Sequence, residues 1–202
     1  LFRSCDRVIN QLREEKLRRL EQRAAVGCSI EYLNGFDDES RKLIAHWQGN
    51  SLFRRNATEF EWALSYPWIT QKEVPSLNYN FSYKANKFEN ILLKFRDQES
   101  NKLGVLWLIQ HNNVLSVPYA FVESEAMYSQ MAVHILRAMI SSGSTHATLR
   151  CPDLVNKLLQ LKGHFLLVRN MPQQIFAHAS LERQIPDSLK IHDGDGDVRF
   201  PG

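Results

Sequence analysis

The 202-residue chain is 44% hydrophobic and 23% charged, ordinary proportions for a globular domain able to bury roughly 70% of its unfolded surface. Its net charge of +3 arises within residues 1–25, which carry seven Lys/Arg against four Asp/Glu; the other residues carry eighteen of each sign, leaving no basic excess to attract nucleic acid. No apolar run approaches the ~18 residues of a membrane span, and the opening LFRSCDRVIN lacks the basic-then-apolar order of a secretory leader.

Cys5, Cys28 and Cys151 are an odd number without a CxxC pair, so neither a disulfide framework nor a zinc site is expected. The expected state is reduced, cytoplasmic and metal-free, where the sequons at Asn56 and Asn80 stay unmodified. The start also lacks a Met, and the expectation is a segment of a longer chain or one trimmed at its start.

Residues 1–26 read as a linker helix with a thin apolar stripe (Cys5, Ile9, Leu12, Leu20) and i,i+4 pairs Glu14–Arg18 and Glu15–Arg19. Residues 27–182 form the expected domain, and 183–202 a tail. CSIEYLN (28–34) is a strand. DDESRKLIAHWQGN is a helix opened by Asp37 or Asp38, with Leu43, Ile44 and Trp47 on one face. The segment from Asn56 has capping-box spacing to Glu59 and stops before Pro67. A polar loop, 70–87, follows.

ENILLKFRD alternates Ile91, Leu93 and Phe95 against Lys94 and Arg96, predicting one wet face. LGVLWLIQ is apolar on both faces, and His111-Asn112-Asn113 turns the chain into VLSVPYAFV, Asn tolerating φ > 0. A long helix over 125–141 puts Ala132, Val133, Leu136, Met139 and Ile140 in the core and ends at Ser142-Gly143. HATLR is a strand, and PDLVNKLLQLKG a helix with Pro152 first and Gly163 as its stop. HFLLVR and QQIFAHASL close as an antiparallel pair. The tail triplet Asp193, Asp195, Asp197 copies calcium-loop spacing, but Val198 stands where the loop needs Gly.

This order, with LLQLKGHFLLV similar to a helix-then-strand stretch patterned LYEKLGF, resembles the GNAT acyl-CoA N-acyltransferase superfamily over roughly residues 28–181. The basic first helix and aromatic helix pair also look like the carboxyl-terminal half of tandem GNAT-like bacterial proteins. The resemblance implies an α/β (α+β) fold: a mixed, mostly antiparallel central sheet flanked by helices. It implies acyl transfer from acyl-CoA to an amine acceptor. It also implies a partner, either an upstream GNAT-like domain of the same chain or a second copy in a homodimer; nucleic acid and membrane are not expected.

In that family acyl-CoA lies between the splayed fourth and fifth strands, its diphosphate on a glycine-rich loop at the next helix's amino terminus. The aligned loop is Val122, Glu123, Ser124, Glu125, Ala126 and Met127, whose backbone is the candidate cofactor contact. Two carboxylates replace glycines there, and Ser124 is expected to cap the helix, so the diphosphate site reads as degenerate. The family's proton-donating Tyr falls on Leu159 and its helix-start Asn on Pro152. Glu123 is the catalytic candidate; its alternative is a carboxylate complementing the helix dipole. His111, His164 and His178 have no ligand spacing, and Cys151 has no identifiable base. Trp47, Phe60, Trp62, Tyr66 and Trp68, with Phe53, are either core packing or an acceptor pocket. A non-catalytic GNAT-like ligand-binding or dimerisation module stands as the second functional expectation.

Overall fold

The computed structural model describes residues 15, 18–19, 27–48, 55–66, 69–70, 83–161 and 168–169. A five-stranded sheet is built from β1 (Cys28–Leu33), β4 (Phe88–Asp97), β5 (Leu103–His111), β6 (Val114–Val122) and β7 (His146–Thr148) in that spatial order. All neighbours are antiparallel except β6 and β7. Helices α1 (Asp38–Gln48) and α2 (Ala57–Ser65) follow β1, α3 (Met127–Ser142) joins β6 to β7, and α4 (Pro152–Gln160) follows β7. This is the mixed, mostly antiparallel α+β architecture expected from the pattern. At the start of and within the expected polar loop 70–87, β2 (Ile69–Thr70) and β3 (Tyr83–Lys84) make a two-residue parallel ladder.

Local chemistry accounts for the boundaries. Asp37 Oδ1 accepts the Ser40 N–H at 2.8 Å to open α1, and Asn56 and Glu59 form the reciprocal capping box that opens α2. Asn112 turns the β5–β6 hairpin at φ 51°, its Oδ1 accepting the Asn86 N–H at 2.9 Å. Gly143, at φ 70°, ends α3 with the Gly143 N–H on the Ile140 carbonyl and the Ser144 N–H on the Met139 carbonyl.

On one face of the sheet α1 and α2 cover an aromatic layer. Trp107 stacks on Tyr119, which stacks on Phe121, each at 5.7 Å, while Phe60 lies edge-on to Tyr119 at 4.6 Å. On the other face α3 lays Met131, Ala132, Ile135 and Met139 against the sheet, with α4 packed beside it through Leu154 and Leu158.

Two expectations about faces are corrected. Ile140, placed in the core by periodicity, is 37% exposed, whereas Met127, Tyr128, Met131 and Ile135 are buried. Covering α3 on two sides, by sheet and by α4, shifts and widens its buried stripe. The wet face of β4 is also not wet: Lys94 is only 8% exposed. Its Nζ bonds Glu31 at 2.8 Å and also pairs with Asp37 and Glu39, while Arg96 takes Glu39 at 2.5 Å. Opposite charges from β1 and the start of α1 close over the lysine, so the charge stays and the water leaves. These bonds hold the Lys94 ammonium above its ordinary pKa, against the opposing effect of burial.

Of the expected linker helix only Glu15, Arg18 and Arg19 are described; they are helical, and Arg19 bonds Glu15 at 2.5 Å. Gly163, His164, His178, the tail triplet and the expected strand pair lie outside the described residues, except Val168 and Arg169, which are not in a strand.

Candidate functional site

Between β6 and β7 the sheet opens. Pairing holds Val114, Leu115 and Ser116 against His146, Ala147 and Thr148, and then β7 ends. Strand β6 itself runs on to Val122, past the end of its ladder with β7. The cause is visible in the register with β5. Trp107 pairs with Tyr119 but Ile109 with Ser116, so three steps on β6 match two on β5. The extra residue falls at Val117-Pro118, where proline has no N–H to leave unpaired, and a bulge there bends and twists the strand.

Antiparallel alternation decides what the opening contains. Glu123 N–H donates to the Leu103 carbonyl at 2.9 Å, so the backbone groups of Val122 and Ala120 turn the other way, toward the opening. The Val122 carbonyl is taken by the Trp47 indole Nε1–H at 2.9 Å, in a buried bond. Ala120 thereby presents a backbone edge beyond that bond.

At the mouth lies the 122–127 turn. Glu123 is exposed, and its Oε2 accepts the Leu103 N–H at 2.7 Å, so side chain and backbone together clamp the ends of β5 and β6. Ser124 does not cap the helix. The capping position belongs to Ala126, with helical angles and no side-chain bond, and the chain winds in through tight i→i−3 bonds. The Met127, Tyr128 and Ser129 N–H groups go to the carbonyls of Ser124, Glu125 and Ala126 at 3.0, 3.1 and 3.2 Å. A serine two residues before the helix lost its capping geometry because this tighter turn satisfies the same donors with backbone. Three first-turn N–H groups are thus spent on carbonyls, and Glu125 adds negative charge beside them.

The aromatic candidates divide. Trp47 and Phe60 are buried in the layer over the sheet, Trp47 edge-on to Phe121 at 6.1 Å. Trp62 and Tyr66 are 56% and 65% exposed, their rings 5.8 Å apart on the outer side of α2. Trp68 and Phe53 lie outside the described residues. Leu159 is exposed on α4, and His111 sits at the end of β5, its pKa lowered by burial.

Sequence reading passed over Tyr128. It stands in the first turn of α3, is 1% exposed, and its hydroxyl makes no hydrogen bond of ordinary geometry among the described residues. The Cys151 thiol lies beside it, a weak partner at best. Burial, then the neighbouring thiol, pushes the Tyr128 hydroxyl above its ordinary pKa, which keeps it protonated. Cys151 is half-buried and occupies the N-cap position of α4 without making a side-chain cap bond. The signal in the sequence was a tyrosine on the apolar side of a helix start, where its OH needs a partner.

On the same face, farther toward β1, an open cleft of about 250 Å³ is lined by Tyr32, Glu89, Ile91, Leu93, His134 and Arg137 among others. Burial, with Arg137 adding to it, lowers the His134 pKa to about 4. Among the described residues no group of His, Cys, Asp and Glu could hold a metal, and no helix is long and apolar enough to cross a membrane. No known family profile matches the sequence, and neither curated proteins nor solved structures yield a match.

Proposed function

We propose that this chain is a GNAT-like domain of the acyl-CoA N-acyltransferase type, holding the acyl-thioester arm of its donor in the opening between β6 and β7. The observation that carries the reading is the strand that outruns its neighbour: β6 extends from 117 to 122 past β7 and feeds directly into α3. An amide-bearing chain can add to such an edge as a strand would, with backbone groups supplying the contacts.

The same geometry argues that the diphosphate contributes little. The first-turn N–H groups are spent on carbonyls, and two carboxylates stand at the mouth. An upstream GNAT-like domain or a second copy would then supply the rest of the donor's grip, with an amine acceptor and a cytoplasmic setting. The experiment is a titration with acetyl-CoA at up to ~1 mM, where a millimolar binder is half occupied. The unmodified domain shows no saturation in that range, and Glu125→Lys, which leaves the Glu123 clamp intact, tightens acetyl-CoA binding. Micromolar binding by the unmodified chain refutes the degenerate-loop part; an Glu125→Lys variant no tighter than its parent refutes the placement of the diphosphate.

A second reading is a non-catalytic GNAT-like module that binds a ligand or completes a dimer. What favours it is the outward Trp62–Tyr66 pair, apolar surface that no described residue covers. Equilibrium sedimentation of the Trp62→Ala variant beside its parent tests it, a dimer lost on substitution being its signature.

A further inference from the structure

Two unusual groups meet where α3 and α4 begin. Tyr128 buries a hydroxyl without a proper partner, and that hydroxyl lies beside the thiol of Cys151. A buried hydroxyl left unsatisfied is destabilising, and Phe at this position would avoid that cost. Cys28, in contrast, is buried in the core, its pKa raised by desolvation, and is the expected inert kind of thiol.

Strands β6 and β7 run parallel, so the helices that follow them, α3 with Tyr128 in its first turn and α4 with Cys151 at its N-cap, begin at the same end of the sheet. The thiol is partly reachable, makes no cap bond, and sits at the amino end of a nine-residue helix. Amino-terminal helix dipoles favour negative charge, which both a thiolate and an oxyanion carry.

We propose that Cys151 is an acyl-accepting thiol, taking the acyl group of a thioester by exchange, with Tyr128 donating its O–H to the developing oxyanion. The step rests on the acyl-thioester reading of the opening. Cys151 gives up its proton to water and its sulfur adds to the thioester carbonyl carbon, whose π electrons move to oxygen. The oxygen accepts the Tyr128 hydrogen bond. Collapse reforms the carbonyl and breaks the bond to the donor's sulfur, which leaves as thiolate and takes up a proton. One thioester and one thiol become another thioester and another thiol, and no oxidant or metal enters.

The probe is S-acetyl-N-acetylcysteamine, an acetyl thioester without nucleotide or diphosphate, used beside acetyl-CoA. Acetylation of the Cys151 peptide is followed by mass spectrometry in the full chain, folded and in denaturant. Expected is an acetyl group on Cys151, released by neutral hydroxylamine, and formed at least about tenfold faster in the folded chain. Tyr128→Phe slows that reaction by about tenfold or more, the lower side of what one lost oxyanion donor costs, while its melting temperature holds or rises. Labelling of Cys151 no faster than in the unfolded chain overturns the proposal, as does an unchanged rate in Tyr128→Phe. The two readings separate cleanly. Labelling by the small thioester, with acetyl-CoA neither labelling Cys151 nor shifting any β6 amide, leaves the thiol role standing and removes the CoA donor. Acetyl-CoA shifts along β6 with Cys151 unlabelled by either thioester do the reverse.

Discussion

Replacing Trp47 with Phe isolates one bond at the closed end of the opening. The indole N–H is the donor to the buried Val122 carbonyl at 2.9 Å, and Phe keeps the ring against Phe121 while removing the donor. An unpaired buried carbonyl costs about 1–3 kcal/mol, and the smaller ring adds a cavity cost of about 1 kcal/mol. The expected loss is therefore about 2–4 kcal/mol, or roughly 4–16 °C in melting temperature for a domain of this size. Trp107→Phe is the matched comparison. Its indole N–H goes to the Asn90 side chain at 3.0 Å, and Asn90 is only half-buried and able to turn to water. Urea unfolding followed by circular dichroism should rank Trp47→Phe as costlier by about 1 kcal/mol or more. Equal losses in the two variants would show that the Val122 carbonyl is not held by Trp47, and the described edge of the opening would be wrong.

Gly143→Ala should destabilise by about 1 kcal/mol, since nothing lies within 4 Å of the added carbon and only the left-handed backbone resists it; no change in urea midpoint would remove the Schellman turn. Stability should begin to fall below pH 6.5, because His134 drops from that ordinary value to about 4 on folding, so the unfolded chain binds the proton first. The slope from this one group is at most about 1.4 kcal/mol per pH unit, and His134→Gln should reduce the limb to what His111, also lowered by burial, contributes. A second acid limb belongs to Asp37. Burial alone would raise its pKa, but the Lys94 and Ser40 hydrogen bonds outweigh that and bring it from 3.8 to about 2. Its contribution is complete above pH 3.8 and is lost on falling toward 2, a window that Asp37→Asn should flatten.

What the sequence disclosed was local chemistry. The Asn56 capping box, the Asn112 turn, Gly143 and Pro152 each satisfy a backbone requirement within a few residues of themselves, and each stands where the pattern put it. What it hid was chemistry that depends on a distant strand or helix. Lys94 read as solvent-facing because its three carboxylate partners come from β1 and the start of α1. Ser124 read as a cap because nothing in the string reveals that the turn tightens to i→i−3 bonds. VLSVPYAFV read as one uninterrupted strand, and the opening at its bulge appears only when β7 stops after three pairs. Trp47 read as core or pocket lining and Tyr128 was passed over, and their polar atoms gained meaning from Val122 and Cys151 across the fold.

The central claim is that donor recognition resides in the β6 edge and not in the diphosphate turn. Amide NMR of the labelled chain, titrated in parallel with acetyl-CoA and with S-acetyl-pantetheine, tests it directly. The account predicts that both thioesters move the same resonances, those of Val117 to Val122 (Pro118 being silent) and of Cys151, with comparable weak affinity. Tighter binding of acetyl-CoA with its largest shifts at Glu125 to Ser129, or no shift along β6 with either compound, would contradict it.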